Sequence, residues 1–295
     1  MRMLRAATLT TPALDAAVAR YREYFGYTVA EEGRVTPALA ASWGTPAAAG
    51  HPYALMQPES AEKVYLRFIQ SGEQPAFPPL RTYGWAAIEL CVADTLEVCA
   101  RLEHSPYRII GPPRELDGLP MIFPMQVLGP DGEVVFLTQI RGDLPEYDLP
   151  RARCLVDRLF IAVLACSDID RSMRWFSETL GVELGARFEI GYPVLSTAFS
   201  LPESHRHVIA VGAHRRDCFL EFDQYPPQAT ARAARAGDLK PGITLVSIAH
   251  PGLESIPRES WITPPQPGPG LLYAGGCTGT LCAPDGTLVE VIGAA

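Results

Sequence analysis

Apolar positions along the chain recur in two periods, and the longer one appears twice. Leu14, Val18, Tyr21 and Phe25 are spaced as one face of a helix, and Gly26 follows as a stop; Ile169, Met173, Phe176 and Leu180 repeat the pattern before Gly181. One constant offset pairs Leu14 with Ile169, Asp15 with Asp170, Tyr21 with Phe176, Glu23 with Glu178 and Gly26 with Gly181. The acidic residue in each first turn suits the positive end of the helix dipole. Nearly the same offset pairs Tyr65-Leu66-Arg67-Phe68 with Phe219-Leu220-Glu221-Phe222, and Pro130-Asp131-Gly132 with Pro284-Asp285-Gly286. Each Asp-Gly turn leads into an apolar run, which reads as a hairpin. The chain is an internal duplication, with halves 1–142 and 154–295 joined by a short connection.

Each half divides again. The first quarter predicts a strand over 4–10, a helix over 12–25 and strands over 27–35, 53–57 and 63–70. The second predicts a strand over 85–92, a helix over 94–103 and strands over 107–111, 121–128 and 133–140. The third predicts a strand over 159–166, a helix over 168–180 and strands over 182–190, 205–211 and 218–222. The fourth predicts strands over 243–249, 275–282 and 287–292, with a short helix near 252–256. Its second strand is obscured by the proline-rich stretch 264–270, read as a loop or a lid. The stretch 36–52 reads as a long loop.

Composition narrows the function. Hydrophobic residues make up 47% and charged residues 20%, enough for a real core. The formal charge of 25 − 33 = −8 argues against a nucleic-acid partner. No run approaches the roughly 18 apolar residues of a membrane span, and the start has no long apolar segment of the signal-peptide kind. The seven cysteines include no CxxC pair and mostly fall in apolar runs, so they read as buried free thiols in a reducing cytoplasm. A nucleophile elbow, a P-loop and a dinucleotide fingerprint are all missing.

The order strand-helix-strand-strand-strand, four times over, resembles the vicinal oxygen chelate superfamily, which includes glyoxalase I, extradiol dioxygenases and bleomycin-resistance proteins. The segments Ser167-Asp168-Ile169-Asp170 through Trp175-Phe176 to Leu180-Gly181-Val182, and Ala283-Pro284-Asp285-Gly286-Thr287-Leu288-Val289-Glu290, carry the resemblance, which spans almost the whole chain. It implies an α+β fold of four βαβββ modules forming two tandem glyoxalase-like domains, with paired modules curling around a cleft that often holds a divalent metal. The family takes metal ligands from the first strand and the last strand of a module.

The last-strand positions are Arg67, Phe136, Glu221 and Glu290, so both glutamates fall in the second half. The first-strand positions fall near Ala6, Ala87, Ile161 and Leu245, none of which binds a metal. Either the metal site is rebuilt or it is missing. A rebuilt site would use His207 with Glu221 and Glu290 around Mn, Fe, Zn or Mg. In the first half Tyr65 and Arg67 share a strand face, with Thr8 and Glu89 nearby; Arg67 could hold a ligand oxyanion, or pair with Glu89 to fill an abandoned site. Trp43 and Tyr53 could cap an aromatic ligand.

Three readings stay open. The first is an enzyme acting on a small oxygenated, apolar or aromatic molecule by enediolate or oxyanion stabilisation, a lyase or isomerase with Glu221 or Glu290 as base. The second is a non-catalytic, sequestering binder of small molecules, and a weaker one an extradiol-type dioxygenase, for which the iron-binding histidines are missing. A metal, if bound, is expected in the second half, and a homodimer is compatible with the sequence.

Overall fold

The four helical and strand patterns close into two sheets rather than one. The computed structural model describes residues 2–293. The first module contains β1 (Leu4–Thr11), α1 (Leu14–Phe25), β2 (Thr28–Arg34), α2 (Pro37–Ser42), β3 (Pro52–Gln57) and β4 (Tyr65–Gln70). The second contains β5 (Gly84–Val92), α3 (Thr95–Leu102), β6 (Arg108–Gly111), β7 (Ile122–Leu128) and β8 (Val134–Ile140). The third contains β9 (Val156–Cys166), α4 (Ile169–Leu180), β10 (Glu183–Gly191), α5 (Pro193–Ala198), β11 (Arg206–His214) and β12 (Asp217–Gln224). The fourth contains β13 (Ile243–His250), the two-residue β14 (Gln266–Pro267), β15 (Cys277–Ala283) and β16 (Thr287–Gly293).

Local chemistry accounts for the helices. Gly26 and Gly181 sit at φ 69° and 65°, the left-handed cap that glycine adopts without a Cβ penalty. Asp94 and Asp168 cap α3 and α4 by accepting hydrogen bonds from first-turn backbone N–H groups. Two six-residue helices depart from the sequence reading. In α2, Thr36 accepts from the Leu39 N–H and Pro37 stands at the first position, inside the stretch read as a loop. α5 is its counterpart in the third module, also opening on a proline. In the fourth module the helix expected near 252–256 is reduced to single 3-10 turns at Leu253–Ser255 and Arg258–Ser260.

Strand pairing crosses the halves. Among the described residues the first sheet runs β14-β15-β16-β13-β1-β4-β3-β2 and the second β10-β11-β12-β9-β5-β8-β7-β6. Within each module the first strand pairs in parallel with the last. Between modules, β1 pairs antiparallel with β13 and β5 with β9. The first module therefore shares a sheet with the fourth, and the second with the third. The halves 1–142 and 154–295 are repeats in sequence, but each contributes one module to each sheet.

Each sheet has two apolar faces. One core cluster joins the sheets to α1, α3 and α4, through residues such as Leu9, Tyr21, Ile88, Phe176 and Val246. The inner face of the second sheet carries another cluster with Ala87, Phe136, Ile161 and Tyr192, and that of the first carries a third with Ala6, Trp43, Tyr65 and Leu245. These inner faces are the two clefts. Strand alternation sends each apolar neighbour of Arg67, Glu89, Glu221 and Glu290 into the joint core and the charged side chain the other way. All seven cysteines are free; Cys91, Cys166 and Cys218 are buried, while Cys277 and Cys282, near the ends of β15, are exposed. Among the described residues no helix is long and apolar enough to cross a membrane.

Separating the halves removes the central strand pairing of both sheets at once and bares β1, β5, β9 and β13 as edges. Residues 1–142 and 154–295 produced separately are expected to lack a cooperative unfolding transition, and to recover one as a 1:1 complex when co-expressed. Two independently folded monomers, each with its own sharp transition in circular dichroism, would contradict the crossed pairing.

Candidate functional site

The first cleft is built around one buried ion pair. Arg67 on β4 lies beside Thr8 on β1, and Glu290 on β16 lies beside Ser247 on β13. The antiparallel junction of β1 and β13 brings the two pairs together. Arg67 Nη2 donates to Glu290 Oε2 at 3.0 Å, Nε to Thr8 Oγ1 at 2.9 Å and Nη1 to the Tyr273 hydroxyl at 2.7 Å. Glu290 also accepts from Ser247 Oγ at 2.5 Å, Trp43 Nε1 at 2.8 Å and the Tyr273 hydroxyl at 2.8 Å. Arg67 is 2% and Glu290 0% exposed. Burial works to lower the Arg67 pKa, but the facing Glu290 carboxylate and Tyr273 outweigh it and raise it. The Trp43 ring lies 4.7 Å from the Arg67 guanidinium carbon, held there because Trp43 directly follows α2.

Four donors on one carboxylate leave Glu290 no free lone pair, and a guanidinium already stands where a cation would come. The first cleft does not fit a metal. Arg67, Tyr65 and Trp43 lie together here, but Glu89 does not. The pairing that sequence reasoning weighed, Arg67 with Glu89, is corrected: the partner is Glu290, because the first module faces the fourth. The first-strand residues that meet these side chains are Thr8 and Ser247, two positions beyond Ala6 and Leu245.

The second cleft collects carboxyls without a cation. Glu89 on β5 lies beside Phe136 on β8, while Glu221 and Asp223 alternate on β12. Glu89 accepts a hydrogen bond from the Thr138 hydroxyl. Burial, then the Glu221 charge, pushes Glu89 up to about 8. Glu221 and Asp223 stand two residues apart on one face of β12, close enough for each to perturb the other. Burial, then the Asp223 charge, drives Glu221 well above the usual carboxylate range, and burial pushes Asp223 to about 7. Glu221 keeps partial exposure, while Glu89 and Asp223 are buried. Tyr192 and Tyr225, at 8% and 2% exposed, complete the site, and burial raises both phenols well above their ordinary value.

His207 belongs to this sheet, on β11. Its Nε2 lies 2.9 Å from Ser196 Oγ on α5, and burial, then His205, lowers its pKa to about 4. The expected set of His207, Glu221 and Glu290 is therefore corrected, since Glu290 lies in the other sheet. Among the described residues no three His, Cys, Asp or Glu side chains converge as a metal would need. The donor geometry of the second cleft does not fit a metal either. The expectation that a metal would select the second half rests on halves that close on themselves, which the pairing replaces. Two surface hollows lie elsewhere, one beside α4 and Asp285 and the other at 251–265.

Asp223, Tyr225, Tyr192 and Thr138 were not among the residues singled out from the sequence. For two of them the signal was present: Glu221, Asp223 and Tyr225 are spaced by two, so a strand that turns Glu221 inward turns the others with it.

The raised carboxyls make stability depend on pH. Burial holds a proton on Glu89 in the folded chain up to about pH 8, well above the ordinary glutamate value of 4.5. The stability it contributes is full below the unfolded value and is lost as pH rises through the folded one. The Glu89→Gln variant lacks this loss. Urea denaturation between about pH 5 and 8 should show the variant gaining roughly 3–5 kcal/mol on wild type. His207, depressed to about 4, loses its contribution as pH falls instead, but it does so in both proteins and cancels. Parallel stability curves for the two proteins would show that Glu89 is not held neutral.

No family model matches the sequence, and no curated protein matches it. Solved structures do match. Glyoxalase I from Zea mays superposes with a TM-score of 0.64 at 17% identity, covering 99% of this chain and 92% of that one. A point variant of the same enzyme gives 0.66 at 17% identity, over 99% and 93%. A putative dioxygenase from Bacillus subtilis gives 0.60 at 10% identity, over 98% and 84%. At these identities the likeness is one of fold alone: the chain has a tandem glyoxalase-like fold.

Proposed function

We propose that the second cleft is the working one, and that it transfers a proton on a small oxygenated, largely apolar molecule, as a lyase or isomerase does. One observation carries this: Glu221 and Asp223 alternate on one face of β12 beside the aromatic Tyr192 and Tyr225, with Glu89 on the same face across β9. Buried like charges cannot both ionise cheaply, so the pair retains one proton near neutral pH. Glu221, raised by burial and by the Asp223 charge, is the acid, and Asp223, with Oδ1 free of any partner, is the base.

The step follows from those roles. Asp223 removes a proton from carbon next to a substrate carbonyl, and the electron pair moves to the carbonyl oxygen. The carboxylic acid of Glu221 and the Tyr225 hydroxyl donate to that oxygen as its charge develops. With an α-hydroxy carbonyl, returning the proton to the former carbonyl carbon while the α-hydroxyl gives up its own proton and becomes the new carbonyl isomerises the substrate; with a leaving group on the β-carbon, return of the electron pair from the oxygen expels that group and completes a lyase step. Neutral donors suit this work in a low-dielectric cleft, where they stabilise the oxyanion without a metal. Among the sequence candidates, Glu221 is the catalytic residue and Glu89 a substrate-contacting one, while Glu290, Arg67, Tyr65 and Trp43 hold the first cleft together. A sequestering binder remains the second reading, favoured by the absence among the described residues of a cation facing the second cleft.

Enolisation in D2O exchanges the substrate's carbon-bound proton, and proton NMR reads it without knowledge of the product. A panel of aliphatic and aromatic α-hydroxy ketones and aldehydes is expected to contain members that exchange. Glu221→Gln should slow that exchange by about 10²–10⁴-fold. Arg67→Met should instead cost about 3–5 kcal/mol of stability, by leaving Glu290 buried and unpaired, with exchange retained in folded protein. No exchange across the panel would sink the proton-transfer reading in favour of the sequestering one.

A further inference from the structure

The two clefts differ in how their charge is balanced. In the first, the single carboxylate meets Arg67 and three neutral donors. In the second, Glu89, Glu221 and Asp223 lie on one face of the sheet, on the strands flanking β9, and among the described residues no ion pair involves any of them. The one buried guanidinium nearby, Arg232, is committed: Nε donates to Thr82, Nη1 to the carbonyls of Pro241 and Ile243, and Nη2 to that of Trp85. His207 is bonded to Ser196.

Two atoms in this cleft lack the partners that buried polar groups normally have. Asp223 Oδ1 is an acceptor with nothing to accept from, and the Tyr225 hydroxyl is unpartnered as well, on side chains 1% and 2% exposed. Tyr225 sits close enough to Asp223 and Glu221 to feel their charge. The walls are aromatic: the Phe136 and Tyr192 rings are 6.3 Å apart, and Phe199 and Tyr225 5.7 Å. Such a lining attracts organic cations through the ring faces. A metal ion needs short, convergent bonds, which these carboxyls do not offer. An ammonium group has three N–H donors that reach separate acceptors at hydrogen-bond length.

We propose that the second cleft takes an organic ammonium ion, a small amine whose cationic head lies among Glu89, Glu221 and Asp223 and whose apolar body packs on Phe136 and Tyr192. The inference rests on the reading of this cleft as the working site, and it names the substrate class: an amine that also carries a carbonyl oxygen for Tyr225 and Glu221 to meet. The bound ammonium supplies the missing positive charge, and Glu89 pairs with it in the carboxylate form. That leaves Asp223 to act as base while Glu221 keeps its proton.

Benzylamine and benzyl alcohol are near-isosteres that differ in charge, and calorimetric titration of the full chain near neutral pH compares them directly. The amine should bind at least about 10-fold more tightly than the alcohol. Glu89→Gln and Asp223→Asn, which keep shape and remove charge, should each narrow that ratio towards unity. Equal affinity of wild type for both probes, or no heat from either, would overturn the proposal. Binding is read without turnover, so the two readings fail separately. An amine preference without deuterium exchange would count against proton transfer alone, and exchange on neutral ketones without an amine preference would count against the ammonium alone.

Discussion

The antiparallel junctions of β1 with β13 and of β5 with β9 decide which charges in this protein meet. Each module offers a charged side chain to a shared cleft, from its last strand in three modules and from its first strand, as Glu89, in the second, and the junction chooses the partner. Joining the first module to the fourth sets Arg67 against Glu290. Joining the second to the third sets Glu89 against Glu221. The opposite choice, halves closing on themselves, would have put Arg67 beside Glu89 and gathered Glu221 with Glu290. A buried charge left without a partner costs several kcal/mol, and the crossed arrangement gives Arg67 and Glu290 each its partner in the first cleft.

The two clefts have thereby diverged on one scaffold. Corresponding helices shape both. α2 and α5 each begin at a proline, and the aromatic residues that follow them, Trp43 and Phe199, both belong to cleft clusters. In the first cleft Trp43 donates to Glu290 and stacks on Arg67, so every strong polar group is spent on another. In the second, the carboxyls are desolvated, mutually repelling and only partly hydrogen-bonded. That arrangement is poor for stability and useful for chemistry, because it holds protons on groups that can donate and accept them near neutral pH.

Much of the fold was legible because it is local and repeated. The helix patterns ending in Gly26 and Gly181, the Asp-Gly turns and the alternating strands each carry a period that a single sequence displays. The pairing of modules is not local. Nothing near Ala6 or Ile243 states which other strand will lie alongside, so the sequence placed Glu221 and Glu290 correctly on strands and still assigned them to one site. The first-strand positions were set two residues early on the same face; Thr8 beside Arg67 was legible all the same, whereas Ser247 was not connected with Glu290. The six-residue helices escaped because a run that short has less than two turns of periodicity to show. Asp223 and Tyr225 were hidden differently: their spacing from Glu221 was visible, but only the enclosure of the second cleft makes it matter.

The account turns on carboxyls of the second cleft staying protonated in the folded protein at neutral pH. Infrared spectroscopy separates the C=O stretch of a neutral carboxyl from the bands of a carboxylate, and isotope-labelled glutamate assigns it to residue type. Wild-type protein at about pH 7 should show protonated glutamate that diminishes in Glu221→Gln and again in Glu89→Gln, consistent with groups raised by burial. A spectrum in which the glutamates are all ionised at that pH would contradict the account, because the second cleft would then hold neither the acid nor the charge deficit on which its chemistry depends.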